Sequence, residues 1–169
     1  MRKISENPSN QCHLWSKTTP QYFLTIKIKK MENSQIIVET TINAPAEKVW
    51  ALYTDPQHIM VWNTASPDWH TPKAENDLSV GGKFSSTMAA KDGSFSFDFW
   101  GIYDEVIDNQ HIAYTMGDGR KATVDFKNEG NQTIVTTAFD PESENSRELQ
   151  QGGWQAILDN FKKHVESQI

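Results

Sequence analysis

Between Phe84 and Phe139 the chain is cut by Asp92-Gly93, Gly117-Asp118-Gly119 and Asn128 to Asn131, and each of these turn signals stands between two strand-like runs. The runs are Phe84 to Ala90, Phe95 to Ile107, His111 to Met116, Lys121 to Lys127 and Thr133 to Phe139. Phe84, Ser86 and Met88 alternate onto one face, as do Phe95, Phe97 and Phe99, and Val124 with Phe126, so the meander has an apolar side. Asp140-Pro141 ends it, and Asn145 with Glu148 reads as a capping box for a closing helix. In that helix Leu149, Trp154, Ile157, Leu158, Phe161 and Val165 recur at helical spacing, with Lys162, Lys163 and Glu166 opposite. A helix of about 22 residues is roughly 33 Å long, enough to cross a sheet of ten-residue strands.

Upstream, Ile36 to Ile42 is rich in β-branched residues and predicts a first strand. Two short helices follow. Pro45 suits the first position of one, which places Ala46, Val49, Trp50 and Tyr53 on a common face. Asp55-Pro56 stops it and starts the next, whose buried side is expected to be Ile59, Met60 and Trp62. The expected architecture is α+β: a curved antiparallel sheet, two short helices after the first strand, and a long C-terminal helix over the concave face.

The 169 residues suffice for one domain, and six Trp, four Tyr and eight Phe can supply both a core and a cavity lining. Residues 1–30 stand apart. They hold Arg2, Lys3, Lys17, Lys27, Lys29 and Lys30 against Glu6 alone, a surplus of about five that leaves the remainder about eleven negative within a net charge of -6. Residues 1–20 read as a disordered polar tail, although Tyr22, Leu24, Ile26 and Ile28 alternate as an edge strand would. Met31 is an alternative first residue, so the expected domain is 31–169. Its acidity argues against a nucleic-acid partner. Cys12 is the only cysteine, which excludes an internal disulfide and suits a cytoplasmic protein. Neither a membrane-spanning run nor a signal-peptide core is evident, so no integral membrane contact is expected.

Ala44-Pro45-Ala46-Glu47-Lys48-Val49-Trp50, Thr54-Asp55-Pro56 and Trp62 resemble the opening signature of the START-like (SRPBCC) superfamily, in particular the activator of heat-shock-protein-90 ATPase homologue family. Asp77-Leu78, Val80-Gly81-Gly82-Lys83-Phe84, Gly101 with Tyr103, Glu105 and Val106, and Gly153-Trp154 with Leu158 continue the resemblance in order over residues 36–166. It implies a helix-grip fold, the order of elements already read from the residues. For function it implies less, since the superfamily includes lipid carriers, polyketide cyclases and regulators.

A concave sheet gripped by a helix leaves room for a ligand, and the expected lining is Trp62, Phe84, Met88, Phe97, Phe99, Tyr103, Tyr114, Met116, Phe126, Gly153, Trp154 and Phe161. Each ring reads equally as core filling; what favours a cavity is the spread of bulky rings and adaptable methionines over sheet and helix. Gly152-Gly153 weakens the helix and invites either a close approach or a loose first turn as its reason. The Tyr103 and Tyr114 hydroxyls could serve a ligand carbonyl or phenol, or bond to backbone. His13, His58, His70, His111 and His164 lack metal-site spacing, so neither a metal nor another cofactor is expected. If chemistry occurs, Tyr103, Glu105, His70 and Asp104 are the nearest acid-base candidates. Asp98, between Phe97 and Phe99, is expected on the solvated face. The leading expectation is non-catalytic binding of a hydrophobic or aromatic small molecule. A cyclase- or aromatase-type enzyme is the second reading. A chaperone-ATPase partner is the third, and the lack of room for the unrelated domain that accompanies this one in the eukaryotic activator counts against it.

Overall fold

A computed structural model describes residues 34–169. The basic stretch 1–30, with Cys12, His13 and the alternating Tyr22 to Ile28, lies outside the described residues, as does Met31. Seven strands form one curled antiparallel sheet: β1 (Ile36–Ile42), β2 (Trp69–Asn76), β3 (Lys83–Ala90), β4 (Ser96–Ile107), β5 (His111–Met116), β6 (Lys121–Asn128) and β7 (Thr133–Phe139). Their order across the sheet is β1-β7-β6-β5-β4-β3-β2, so β1 returns to pair with the last strand and every other neighbour is a hairpin partner. Helices α1 (Ala46–Thr54) and α2 (Pro56–Trp62) join β1 to β2, and α3 (Arg147–Glu166) closes the chain. The helix-grip expectation holds, with one element beyond those read from the residues.

That element is β2, which the sequence reading leaves unassigned. Its Pro72 cannot donate to a ladder, and the register slips between His70 and Lys73. Both are tolerable because β2 is an edge strand. A second slip, between Tyr103 and Glu105, resets the alternation of β4, so that Gly101 and Tyr103 before it and Val106 after it all face inward.

The core is densest where β1, β5, β6 and β7 meet the helices, with Ile42, Val49, Val124, Val135, Phe139, Phe161 and Val165 fully buried. Of the two helix-cap expectations, one holds and the other changes. Asp55 caps α2 by accepting from the Gln57 N–H at 2.8 Å, but α3 is capped by Ser146, whose Oγ accepts from the Leu149 N–H at 3.2 Å. The Asn145 N–H instead donates to Glu142, so the residue expected to cap belongs to the preceding loop. Met60 is exposed, because the inward side of α2 is set by Ile59 and Trp62 alone.

Helix α3 lies along β1, and its polar side chains complete that strand's open edge. The Gln151 amide donates to the Ile37 carbonyl, and Gln155 both donates to the Glu39 carbonyl at 3.1 Å and accepts from the Glu39 N–H at 3.3 Å. Lys162 continues the row by donating to the Thr41 carbonyl. An uncovered edge would invite pairing with another chain, and here the helix satisfies it. With its polar flank fastened to β1, α3 lays Trp154 between Phe139 on β7 and Phe99 on β4.

Candidate cavity between the helix and the sheet

A half-open cavity of about 350 Å³ lies between α3, α2 and the inner faces of β3, β4 and β5. Of the twelve residues expected to line it, Trp62, Phe84, Met88, Phe97, Phe99, Tyr103, Tyr114 and Trp154 do so. Trp154 stacks on buried Phe139, with centroids 4.0 Å apart and planes at 12°, and its edge meets Phe99 across the gap. Phe84 is clasped by Phe99, Tyr103 and Tyr114, and its ring lies against Gly101, where a Cβ would come within 2.8 Å. Glycine at 101 therefore makes room for this ring in the cavity floor. Phe97 is 46% exposed and forms an aromatic rim with Trp69 and Phe95.

The other four are placed differently. Met116 is 4% exposed and sits in the core. Phe126 is held edge-on by Trp50 and Tyr53, and Phe161 packs against Tyr53 and Trp62, so both rings lie behind the lining. Gly153 does not reach the cavity wall, and a Cβ there or at Gly152 would meet no atom within 4 Å, so no close approach within the protein explains either glycine. Periodicity identifies the inward face of an element but not its depth, which is why core and lining were merged in the expectation.

Sequence reasoning missed Tyr53, Ile59, Ile157 and Leu158 among the apolar walls, and Asn63, Glu75, Ser86, Thr137, Arg120, Glu142 and Gln150 among the polar ones. Most of the polar groups are already engaged. Gln150 donates to the carbonyls of Glu142 and Asn145 and accepts from the Glu142 N–H. Arg120 donates through Nε to Asp118 at 2.8 Å and through Nη1 to the Asp140 carbonyl at 3.2 Å. The Tyr103 hydroxyl donates to Asn76 Oδ1 at 2.7 Å, and the Asn76 amide donates to the Thr54 carbonyl at 2.6 Å, a tether from β4 through β2 to α1. Burial pushes the Tyr53, Tyr103 and Tyr114 hydroxyls well above the usual phenol range, so all three stay protonated near neutrality.

Of the acid-base candidates only Tyr103 faces the cavity. His70 is exposed. Asp104, exposed, accepts from Thr115 Oγ1, and Glu105 is on the outer surface beside His111. Asp98 is solvated, as expected, and accepts from Thr87 Oγ1 at 2.7 Å. The structure does join two of the scattered histidines: His58 Nδ1 on α2 and His164 Nε2 on α3 are 2.9 Å apart. Burial, followed by the neighbouring His58, lowers the His164 pKa. Among the described residues no group of three His, Cys, Asp or Glu side chains could hold a metal ion. A broader depression of about 690 Å³ beside Glu47, Asp108 and Asp125 is more open and is lined mainly by charged and amide residues, with Phe126 its one ring of the Phe, Tyr or Trp type. No helix is long and apolar enough to cross a membrane among the described residues.

Solved structures with this architecture are numerous. An AHSA1-like protein from Aeromonas hydrophila, determined in solution, is 45% identical, with a TM-score of 0.75 over 79% of this chain and 93% of its own. A protein from Cytophaga hutchinsonii, also determined in solution, is 55% identical, with a TM-score of 0.70 over the same shares. A Nitrosomonas europaea protein with 19% identity, covering 80% of this chain and 96% of its own at a TM-score of 0.69, shares the fold alone. No functionally curated protein matches the chain by sequence. The family model described as "Activator of Hsp90 ATPase homolog 1-like protein" matches residues 43–166, from the residue before the α1 signature to the last residue of α3, and the chain belongs to that family.

Proposed function

We propose that the protein binds a hydrophobic, ring-bearing small molecule in the cavity beneath α3, as a carrier or sensor rather than as a catalyst. The observation that carries this reading is the cavity of about 350 Å³ walled by Phe84, Met88, Phe99 and Trp154, with an aromatic rim at Phe97. Apolar walls with few free polar groups are the ordinary construction of small-molecule sites. An apolar cavity of about 150 Å³ takes up benzene, so by the same ratio this one suits a ligand of about 14 non-hydrogen atoms. A single cysteine in the chain suits operation in the reducing cytoplasm.

Methionine methyl NMR tests the reading, because Met88 lines the cavity while Met116 sits in the core. Naphthalene added to protein labelled with ¹³C at the methionine methyls should shift the Met88 resonance saturably and leave Met116 in place. An unmoved Met88 signal up to the aqueous solubility of naphthalene would remove the reading. The cyclase-type alternative receives little support: the one cavity phenol with a polar partner, Tyr103, is kept protonated by burial and so makes a poor general base. The chaperone-ATPase alternative rests on the family's name.

A further inference from the structure

The free polar groups of the cavity bear on what its occupant carries. Ser86 on β3, Tyr114 on β5 and Thr137 on β7 line the cavity at 5%, 6% and 4% exposure, and their hydroxyls have no hydrogen-bond partner among the described residues. No side-chain oxygen sealed from solvent lacks a partner among those residues. The three oxygens therefore border open space, and the space they border is the cavity. Leaving such a group unpaired on ligand binding would cost on the order of 1–3 kcal/mol, so a complementary ligand has to supply a partner. Tyr103, by contrast, has its hydroxyl committed to Asn76.

Tyr114 carries the longest of these side chains; its ring meets that of Tyr103 edge-on with centroids 6.4 Å apart, and Tyr53 and Arg120 are close enough to act on it electrostatically. A neutral phenol beside a cation and other phenols offers a proton and favours lone pairs opposite it. A ligand carboxylate fits less well. Among the described residues the cavity's only cation, Arg120, is bound to Asp118, and Glu75 and Glu142 also line the wall. We infer that the cavity takes an uncharged ring compound bearing a ketone- or aldehyde-type carbonyl, whose oxygen accepts a hydrogen bond from Tyr114. The inference rests on the binding reading proposed above and adds the functional group that the site selects.

A matched pair of probes separates the two levels: 2-acetylnaphthalene and 2-isopropenylnaphthalene have the same shape and differ in C=O against C=CH₂. Binding of each to the full chain would be followed by quenching of tryptophan fluorescence, and the ketone by its infrared carbonyl stretch. The ketone should bind about tenfold more tightly, the worth of one hydrogen bond in a dry site, with its stretch moved to lower frequency. Tyr114→Phe should abolish both the preference and the shift, with the hydrocarbon, which no longer leaves that hydroxyl unpaired, binding the variant at least as tightly as the wild-type protein. Equal binding of both probes to the wild-type protein would overturn the carbonyl inference and leave the binding reading intact. So would a preference that survives Tyr114→Phe or disappears only in Tyr53→Phe. Failure of both probes to bind, with the Met88 methyl unmoved by naphthalene, would overturn the binding reading and this inference with it. The wild-type comparison needs no variant, so poor folding of Tyr114→Phe would not rescue the proposal.

Discussion

Gly152 and Gly153 occupy the second turn of α3, the helix that fastens the sheet edge and roofs the cavity. Neither has the positive φ that would demand glycine, and a methyl group built at either position meets nothing within 4 Å. Alanine should therefore fit without displacement. Each glycine weakens a helix interior by about 0.8–1.0 kcal/mol relative to alanine, so Gly152→Ala and Gly153→Ala should each stabilise the fold by about 1 kcal/mol, and the pair by about 2. For a domain of this length, 1 kcal/mol raises Tm by roughly 3–4 °C, so the double variant should melt about 6–8 °C higher. Urea unfolding followed by tryptophan fluorescence would measure the gain, and an unchanged slope against urea would place it in stability rather than in compactness. Destabilisation by either substitution would refute the reasoning, since it would mean that α3 sits closer to its neighbours than described. A Gly153→Ala variant that is more stable but binds naphthalene more weakly would locate the reason for that glycine in the ligand.

Three further outcomes follow from other contacts. Gln155→Ala removes both hydrogen bonds to the Glu39 backbone and should cost about 1–2 kcal/mol by chemical denaturation, with faster hydrogen exchange at the Glu39 amide. Because burial raises the Tyr53, Tyr103 and Tyr114 pKa values, their contribution to stability is complete below the unfolded phenol value of about 10 and is lost as pH rises toward the folded values. Phenolate absorbance at 295 nm from these three should therefore appear together with unfolding in an alkaline titration. The lowered His164 pKa works in the opposite direction: its stabilisation is present above the unfolded histidine value of about 6.5 and fades as pH falls, and two protonated imidazoles cannot share the 2.9 Å bond to His58. Tm measured from pH 7.5 to 5 should fall more steeply for the wild-type protein than for His164→Gln.

Strands β3 to β7 were legible because each has one buried face, and burial on one side writes a period of two into the residues. Trp69–Asn76 carries Pro72 and a register slip at the sheet edge, so that period is broken and β2 escaped notice. The α3 stripe was equally legible, but the task of its polar flank was not: Gln151 and Gln155 look like solvent-facing residues until β1 is seen beside them. Depth was hidden for the same reason. Phe126 and Phe161 share a face with true lining residues, and only the placement of Trp50, Tyr53 and Trp62 puts them behind the wall, while Met116 is buried in the core. Tyr53, read as a helix-face residue, proves to be both a packing partner of Phe161 and part of the lining. His58 and His164 are 106 positions apart, and no local spacing could have paired them.

The most direct test of the cavity's role is native mass spectrometry of freshly purified protein, followed by solvent extraction of whatever it carries. The expected result is a bound species on the order of 200 Da, the mass of a compound filling this volume. It should be released by organic solvent and displaced by 2-acetylnaphthalene. A spectrum showing only the unliganded mass, from protein that also fails to take up either naphthalene probe, would contradict a binding function for the space beneath α3.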